Sequence, residues 1–169
     1  FALHDTFQVP ELPLAISFFT FQQIAFVVDC YMGRTRENSL IRYSLFVSFF
    51  PQLIAGPILR HREMRDQLSA IRLQRDDITA GAVTFILGLA KKVIIADQLS
   101  HYTTYFFNAT PHDFITAWLA ALSFSFEIYF DFSAYSDMAI GLARIFGLRF
   151  PDNFNSPYRS TSVIEFWGR

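Results

Sequence analysis

Three side chains at helical spacing are the first candidates for chemistry in this sequence. Glu127, Asp131 and Tyr135 are four residues apart within EIYFDFSAYSD, which places them on one face of a helix. Two charged carboxylates one turn apart repel each other, so we expect each to have a partner or one of them to be protonated. Because acids in membrane-like sequence normally face a bundle interior or a wet cavity, bridging helices explains them as well as direct chemistry does.

A fourth acid, Asp137, falls on a different face of the same helix. Ser133 lies one turn before Asp137 and Gly141 one turn after it. The small Gly141 would let another helix come close to the Asp137 carboxylate. We therefore predict that Asp137 joins neighbouring helices.

The remaining polar candidates are weaker. Asn153 and Asn155 lie in NFNSPYRS, a run typical of turns and helix caps, so we predict supporting positions for them. His61 follows Gly56 and Pro57, but a loop histidine is more often solvated than catalytic. No metal site is predicted, because no spacing gathers the four histidines: His4, His61, His101 and His112.

Several common functions have no support in the sequence. GxGxxG, GKS/GKT and HExxH are absent, which removes the motifs of dinucleotide, P-loop and zinc-protease sites. The single Cys30 excludes an internal disulfide and a cysteine-based metal site. With a net charge of −1 and no basic stripe, nucleic acid is not expected as a partner.

The composition favours a helical membrane protein. Apolar residues make up 52% of the chain, aromatic residues 18%, and phenylalanine alone occurs 21 times. A soluble domain of this size rarely needs so many large rings, because much of its surface must face water. The fold class we predict is all-α, a polytopic bundle of membrane helices.

The chain before residue 70 predicts one span and one broken segment. LPLAISFFTFQQIAFVV runs without charge between Glu11 and Asp29 and is nearly long enough to cross a bilayer. The next apolar run, Tyr43–Leu59, carries Pro51 and Pro57, which each break helical hydrogen bonding. Arginines flank this run on both sides, so the positive-inside rule favours a re-entrant segment that returns to the cytoplasmic side.

Two further helices are predicted towards the carboxyl end. One runs from Ile78 to Ala96, capped by Asp76 or Asp77, with two lysines near its end that reach the headgroups. The other occupies the apolar stretch 114–150, which Pro151 ends. A polar loop and the start of another helix follow.

Four motifs resemble the alginate O-acetylase branch of the membrane-bound O-acyltransferases in order and spacing. They are SFFTFQQIAFVVD, FVSFFPQLIAGPI, FILGLAKKVIIAD and YFDFSAYSDMAIGLARIFGLRFPDNFNSPYRSTSVIEFW. The resemblance runs from about Pro13 to Trp167. The relative that transfers D-alanine to teichoic acid is similar through its FDF…Y…NFN…FW skeleton and ranks second. Ala134 stands where that pattern leads us to expect glycine.

The resemblance implies an enzyme. It implies acetyl transfer from a cytoplasmic donor, acetyl-CoA or another acetyl thioester, towards an extracytoplasmic polysaccharide such as alginate. It also implies a multi-pass protein of the bacterial inner membrane, in contact with lipids and with extracytoplasmic acetyltransferase or acetyl-carrier proteins. We expect no bound cofactor.

The same resemblance places the catalytic histidine, the general base, just beyond Arg169. We therefore expect residues 1–169 to be an internal part of one membrane domain, inactive alone, in which no residue takes the histidine's role. Two readings from other classes stay open on the residues alone. Buried acids and broken helices also occur in transporters, and a noncatalytic scaffold for an extracytoplasmic transferase would look similar.

Overall fold

The computed structural model describes residues 16–53, 56, 59–110 and 113–169, and this part of the chain is helical without any strand. The helices are α1 Ile16–Tyr31, α2 Leu40–Ser48, α3 Phe50–Leu53, α4 His61–Leu68, α5 Arg75–Ala90, a π-helical segment Lys91–Ala96, α6 Asp97–Asn108, α7 Phe114–Ile145, a 3₁₀ turn Pro157–Arg159 and α8 Val163–Gly168. The all-α prediction is confirmed.

Two long apolar helices form the centre of the fold. The first is continuous from Arg75 to Asn108 and has 34 residues, and α7 has 32 residues. An 18-residue stretch within each has a mean hydropathy of 1.8 and 1.2, respectively. Both are long and apolar enough to cross a membrane. They run antiparallel, since Gly81 approaches Gly141 while Gly88 approaches Ala134.

Small residues bring these two helices unusually close together. A Cβ atom added to Gly141 would lie 2.6 Å from the backbone nitrogen of Phe85, and one added to Gly88 would lie 2.9 Å from the carbonyl oxygen of Ala134. Backbone contact of this kind is how membrane helices pack in place of a hydrophobic driving force. Ala134 is fully buried at this contact, and its methyl group is accommodated because Gly88 faces it.

The segment predicted to be re-entrant is broken beside Pro51, the first of its two prolines. The break is at Phe49, and Pro51 lies inside the short α3. Pro51 has no N–H to bond the carbonyl four residues back, so α2 ends before it and proline occupies the first turn of the next helix. The side-chain amide of Gln52 donates to the Phe46 carbonyl at 2.5 Å, which satisfies one group freed by the break. Pro57 lies outside the described residues.

The two flanks of this broken segment meet each other, as a re-entrant path requires. The Thr35 hydroxyl lies 2.9 Å from Nδ1 of His61, and Nε2 of His61 lies 3.5 Å from a Glu37 oxygen. Arg60 also approaches Asp29, at 4.0 Å. Residues before the segment therefore contact residues directly after it. The main apolar core is formed by buried side chains of these segments and of the chain around the end of α7: Phe46, Phe49, Leu59, Met64, Leu68, Ala143, Leu148 and Phe150.

Basic residues collect at one end of the helix pair. Ten of the twelve arginines lie in residues 34–75 or in 144–149, and none lies between 76 and 143. Asp77, at the start of α5, binds Arg144 at 3.1 Å and Arg149 at 3.2 Å, which ties α5 to the end of α7. The opposite end, residues 98–126, carries Asp113 as its single acid and has no lysine or arginine.

After α7 the chain reverses and runs back along the same helix. Gly147 has a φ of +77°, and the amides of Gly147 and Leu148 donate to the carbonyls of Arg144 and Ala143 at 3.0 and 2.9 Å. This is a Schellman cap, which requires the left-handed conformation that glycine adopts easily. The prediction that Pro151 ends this helix is therefore wrong, because Gly147 ends it first.

The returning chain covers most of the length of α7 without helical structure. Arg149 is held near the basic end by Gln67, at 2.7 Å, and the Tyr158 hydroxyl donates to the Ser125 carbonyl at 2.7 Å. Ser125 and Arg144 are separated by roughly 28 Å along a helix that rises 1.5 Å per residue. The few residues between Arg149 and Tyr158 must be extended to cover that distance.

The predicted helix 78–96 is also corrected. It begins at Arg75 and continues to Asn108, so Lys91 and Lys92 lie near its middle. Gln74 occupies the cap position, and the Asp77 side chain bonds arginines instead of capping the helix. Charge at Lys91 and Lys92 suggested a helix end, but partners on α7 allow the helix to continue.

The sidedness of this arrangement can be measured by cysteine labelling in the intact protein after replacement of Cys30 by alanine. We expect Arg36→Cys and Ala70→Cys, on either side of the broken segment, to react with a membrane-impermeant maleimide only after spheroplasts are permeabilised. Basic loops stay in the cytoplasm, which is the physical reason. Thr110→Cys, at the opposite end of the helix pair, should react in intact spheroplasts. Labelling of Arg36→Cys and Ala70→Cys from opposite sides would refute the re-entrant path.

Candidate functional site

Lys91 and Asp137 form an ion pair between the two long helices. The Lys91 ammonium contacts the Asp137 carboxylate and lies 3.3 Å from the Ser133 hydroxyl. Ser133 and Asp137 are one turn apart on α7, and Gly141 one turn further on touches the backbone of α5. Asp137 therefore contacts the neighbouring helix through this face, and its role in joining the two helices stays a prediction.

Lys92 makes the second pair. Its ammonium nitrogen lies 2.5 Å from Oδ1 of Asp131 and 2.8 Å from Oδ1 of Asp97. Lys92 thereby links α7 to the helical turn that follows it in its own helix. Asp131 therefore has a partner of opposite charge, which is one of the two arrangements expected for these acids.

The lysines were predicted to reach the headgroups, and that prediction is wrong. Lys91 and Lys92 are the first two residues of the π-helical segment Lys91–Ala96. A π turn accommodates an extra residue and often marks a functional position in a helix. Here both consecutive ammonium groups are paired with acids of α7, because an unpaired charge at this depth would be costly.

Glu127 and Tyr135 lack the lysine contacts that Asp131 and Asp137 make. One carboxyl oxygen of Glu127 is buried and accepts no hydrogen bond from the described part of the chain. Tyr135 is 44% exposed and lines a separate apolar cavity with Phe50, Pro51 and Met138. The three residues follow one helix face, as predicted, but the structure does not bring them into one site.

An aromatic cavity lies beside α7, where the returning chain ends. Its volume is about 370 Å³, and it is lined by rings from three parts of the chain: Tyr129 and Phe132 of α7, Phe154 and Tyr158 of the returning chain, and Phe166 and Trp167 of α8. Phe154 packs against Tyr129 and Phe132 with ring centres 6.0 and 5.4 Å apart. The rings form the walls of a largely apolar pocket with a few polar groups, which is the usual character of a small-molecule site.

The polar groups of this cavity come from Asn153 and Arg169. The Arg169 guanidinium is held by Glu165 at 2.8 and 2.9 Å and donates to the Asn155 carbonyl at 3.1 Å. The Asn155 amide in turn donates to the Arg169 carbonyl at 2.6 Å. Asn155 therefore anchors α8 through its backbone, while Asn153 reaches the cavity.

No histidine lines this cavity within the described residues, and none of the described His, Cys, Asp or Glu side chains gather in threes to hold a metal ion. The cavity can therefore bind and orient an organic group, but the described residues supply no general base at its wall. His4 and His112 lie outside the described residues, and the predictions about them stay open.

His61 is a buried structural residue, which corrects the expectation of a solvated one. It is 1% exposed, and the rings of Phe26 and Phe46 pack edge-on against it at 5.0 and 5.1 Å. Burial lowers the pKa of His61 below its usual value, and the nearby Arg65 adds to this, while Glu37 opposes it. Among the described residues, His61 thus joins two loops far from the aromatic cavity.

A sequence model described as the membrane-bound O-acyltransferase family matches residues 36–169. The chain belongs to this family. The match contains both long helices, the broken segment, the ion pairs and the aromatic cavity. The family is membrane-bound, which agrees with the length and apolar character of the two central helices.

The relatives are acyltransferases of bacterial cell surfaces by name. The chain is 44% identical to a peptidoglycan O-acetyltransferase of Helicobacter pylori and 46% identical to a probable alginate O-acetylase of Pseudomonas aeruginosa, over 94% of its length in each case. It is 30% identical, over 92% of its length, to a teichoic acid D-alanyltransferase of Bacillus subtilis. The chain covers 36, 31 and 41% of these proteins, about a third of each.

Sequence reasoning missed Lys91 and Lys92 as members of the site. Two adjacent lysines inside an apolar helix, followed 40 residues later by two aspartates inside another, were a usable signal. Each lysine contacts an aspartate of the other long helix, and such pairing is the usual condition for charge inside a membrane. The aromatic cavity carried no such local signal, because its walls come from three separate segments.

The ion pairs predict a specific order of stabilities in the intact protein. Asp137→Asn leaves Lys91 without a carboxylate partner, so the detergent melting temperature and the membrane abundance should fall, and the free energy of unfolding should decrease by roughly 1–3 kcal/mol. Asp131→Asn should have a smaller effect, because Lys92 keeps Asp97 as a partner. The double variant Lys91→Gln/Asp137→Asn should be more stable than Asp137→Asn, because neither charge of that pair is then left alone. Asp113→Asn is the matched control and should be neutral, since asparagine also caps α7.

An Asp→Asn variant that melts like wild type yet loses activity would contradict the structural assignment and move that residue into the catalytic machinery. Equal melting temperatures for Asp137→Asn and Lys91→Gln/Asp137→Asn would show that an unpaired Lys91 costs no stability, which contradicts the predicted order.

His61 predicts a pH dependence of stability. Because its pKa in the folded protein is below the ordinary value of about 6.5, the unfolded chain takes up a proton first as the pH falls. Stability should therefore be full above about pH 6.5 and decrease as the pH falls below it, with a slope of at most about 1.4 kcal/mol per pH unit. His61→Gln should be less stable at pH 7.5 but flatter between pH 7.5 and 5.5, measured by melting in detergent. The exposed His101→Gln should keep the wild-type slope, and an unchanged slope in His61→Gln would refute the assignment.

Proposed function

We propose that the intact protein is an O-acetyltransferase of the bacterial inner membrane. It passes acetyl groups from a cytoplasmic thioester donor, acetyl-CoA or another acetyl thioester, towards an extracytoplasmic polysaccharide. The observation that carries the proposal is that the chain has a higher sequence identity to relatives named for O-acetylation than to one named for D-alanyl transfer. The chain is 44 and 46% identical to relatives named as O-acetylating enzymes and 30% identical to one named as a D-alanyltransferase.

The reaction fits the chemistry that the chain and its family imply. A hydroxyl oxygen attacks the thioester carbonyl, the carbon–sulfur bond breaks, and the hydroxyl proton goes to a base and then to the thiolate. A general base within hydrogen-bond reach of the hydroxyl is required for this step. We propose that this base is a histidine that follows the FW motif, as the family resemblance implies.

The extended chain after α7 supports a passage for the reactants at this place. Backbone outside a helix is tolerated at membrane depth only where protein covers it or where it lines a water-filled cavity. Residues 150–156 are such a stretch, and the carboxyl-terminal part of this stretch lines the aromatic cavity. The basic end of the helix pair would then face the cytoplasm and the donor.

The ion pairs support the enzyme rather than a transporter. Each lysine of the central helices contacts an aspartate, so neither ammonium group is left to bind a travelling ion. Extracytoplasmic acetyltransferase or carrier proteins remain the partners we propose for the final transfer to the polysaccharide. D-alanyl transfer to teichoic acid is the second candidate, supported by the 30% identity to a D-alanyltransferase.

The test is a deletion of the gene followed by analysis of base-labile groups on the cell surface. We expect ester-bound acetate to disappear from one polysaccharide fraction, either exopolysaccharide or peptidoglycan, and to return on complementation. Loss of ester-bound D-alanine without loss of acetate would favour the second candidate, and no change in either ester would refute both.

Complementation with cavity variants links the function to the site. Phe132→Ala removes a wall of the aromatic cavity and should reduce acetylation about tenfold or more, which corresponds to roughly 1.4 kcal/mol of barrier. Leu122→Ala is the matched control, because Leu122 is a half-exposed apolar residue of the same helix outside the cavity. Equal activity of the two variants at equal abundance would exclude the cavity from the reaction.

A further inference from the structure

Four arginines at the basic end of the helix pair have no acidic partner among the described residues. They are Arg36, Arg62, Arg72 and Arg75, and each is exposed. Their neighbours differ, since Arg34, Arg42, Arg60, Arg65, Arg144 and Arg149 each lie within 4.0 Å of an aspartate or glutamate. We call these four residues the basic collar.

The position of the collar along the membrane normal follows from its elements. Arg75 is the first residue of the 34-residue apolar helix, so it lies where that helix leaves the hydrocarbon. Arg72 precedes it by three residues, and the Arg72 carbonyl packs against Gly147 at the end of α7. Arg62 follows His61, which contacts Thr35 beside Arg36. All four therefore lie at one end of the bundle, either in loops or in the first turn of a helix, at headgroup level.

The collar is combined with exposed apolar side chains. Ile71 is 44% exposed and Leu73 is 67% exposed, on either side of Arg72. The adjoining helix α4 buries His61, Met64 and Leu68 against the bundle, so Arg62 faces outwards. Outward-facing arginines beside exposed apolar side chains are typical of segments that contact the membrane interface.

We propose that the basic collar binds anionic phospholipid headgroups, with Ile71 and Leu73 inserted among the first acyl carbons. Guanidinium groups form forked hydrogen bonds with phosphate oxygens, and anionic lipid attracts basic segments next to a membrane span. An acidic protein would match the arginines, but it would leave Ile71 and Leu73 facing water. The lipid satisfies both the charge and the apolar side chains, and the proposal does not depend on the acyl chemistry.

The experiment uses the intact protein in a neutral detergent. It is titrated with dioctanoyl-phosphatidylglycerol and, separately, with dioctanoyl-phosphatidylcholine, while the melting temperature is followed. We expect phosphatidylglycerol to raise the melting temperature at concentrations at least about tenfold lower than phosphatidylcholine, given roughly a fivefold gain for each arginine at an anionic surface. The effect should weaken in 0.5 M salt, since ionic screening then acts within a few ångströms. Equal responses to the two lipids overturn the proposal, whether or not any variant folds.

Two variants test the residues. Arg62→Gln/Arg72→Gln/Arg75→Gln should lose the preference for phosphatidylglycerol, whereas the matched triple change to lysine should keep most of it because the charge remains. Glycerol 3-phosphate, which has the phosphate without acyl chains, should give less than a tenth of the response at equal concentration. A full response to glycerol 3-phosphate would overturn the lipid assignment in favour of a soluble phosphate, and an unchanged preference in the glutamine variant would overturn the collar.

Discussion

Charge in a low-dielectric layer is stable only when it is paired, and this constraint organises the central helices. Lys91 with Asp137 and Lys92 with Asp131 fix the rotation of α5 and α7 about their axes. The pairs form because Gly81, Gly88 and Gly141 let the backbones touch. Neither feature would suffice alone, since glycine packing has little preference for one register and ion pairs need the closeness that glycine provides. The lining of the aromatic cavity by α7 depends in turn on that rotation.

Local sequence was a good guide where a residue's partner lies on the same helix face. The set Ser133, Asp137 and Gly141 could be recognised because the spacing of a helix alone brings its members together. The all-α class and the presence of long apolar spans followed from composition. The family could be recognised as well, from motifs that cover nearly the whole chain. The positions of helix ends were harder to predict from the sequence. Lys91 and Lys92 suggested an end, because their aspartate partners on α7 lie far along the chain.

The aromatic cavity and the burial of His61 were also not predicted, because the residues that surround them come from distant parts of the chain. Tyr129, Phe154 and Trp167 meet because the returning chain runs back along α7, and that path depends on the cap at Gly147. NFNSPYRS has the composition of a surface turn, so nothing in it indicates that this segment runs back along the neighbouring helix α7. His61 has the sequence environment of a solvated loop, whereas Thr35 and Glu37 enclose it only after the broken segment folds back.

The pairing between lysines and aspartates also bears on how the protein enters the membrane during synthesis. Lys91 leaves the ribosome 46 residues before Asp137, and each charge alone costs about 2.5–3.5 kcal/mol at the centre of a helix passing through the translocon. The first helix is therefore a poor substrate for insertion until the second has been made. Because a loop of only a few residues joins them, the two can leave the translocon together as a hairpin in which both lysines are paired. The ion pairs thus couple insertion of one helix to translation of the next.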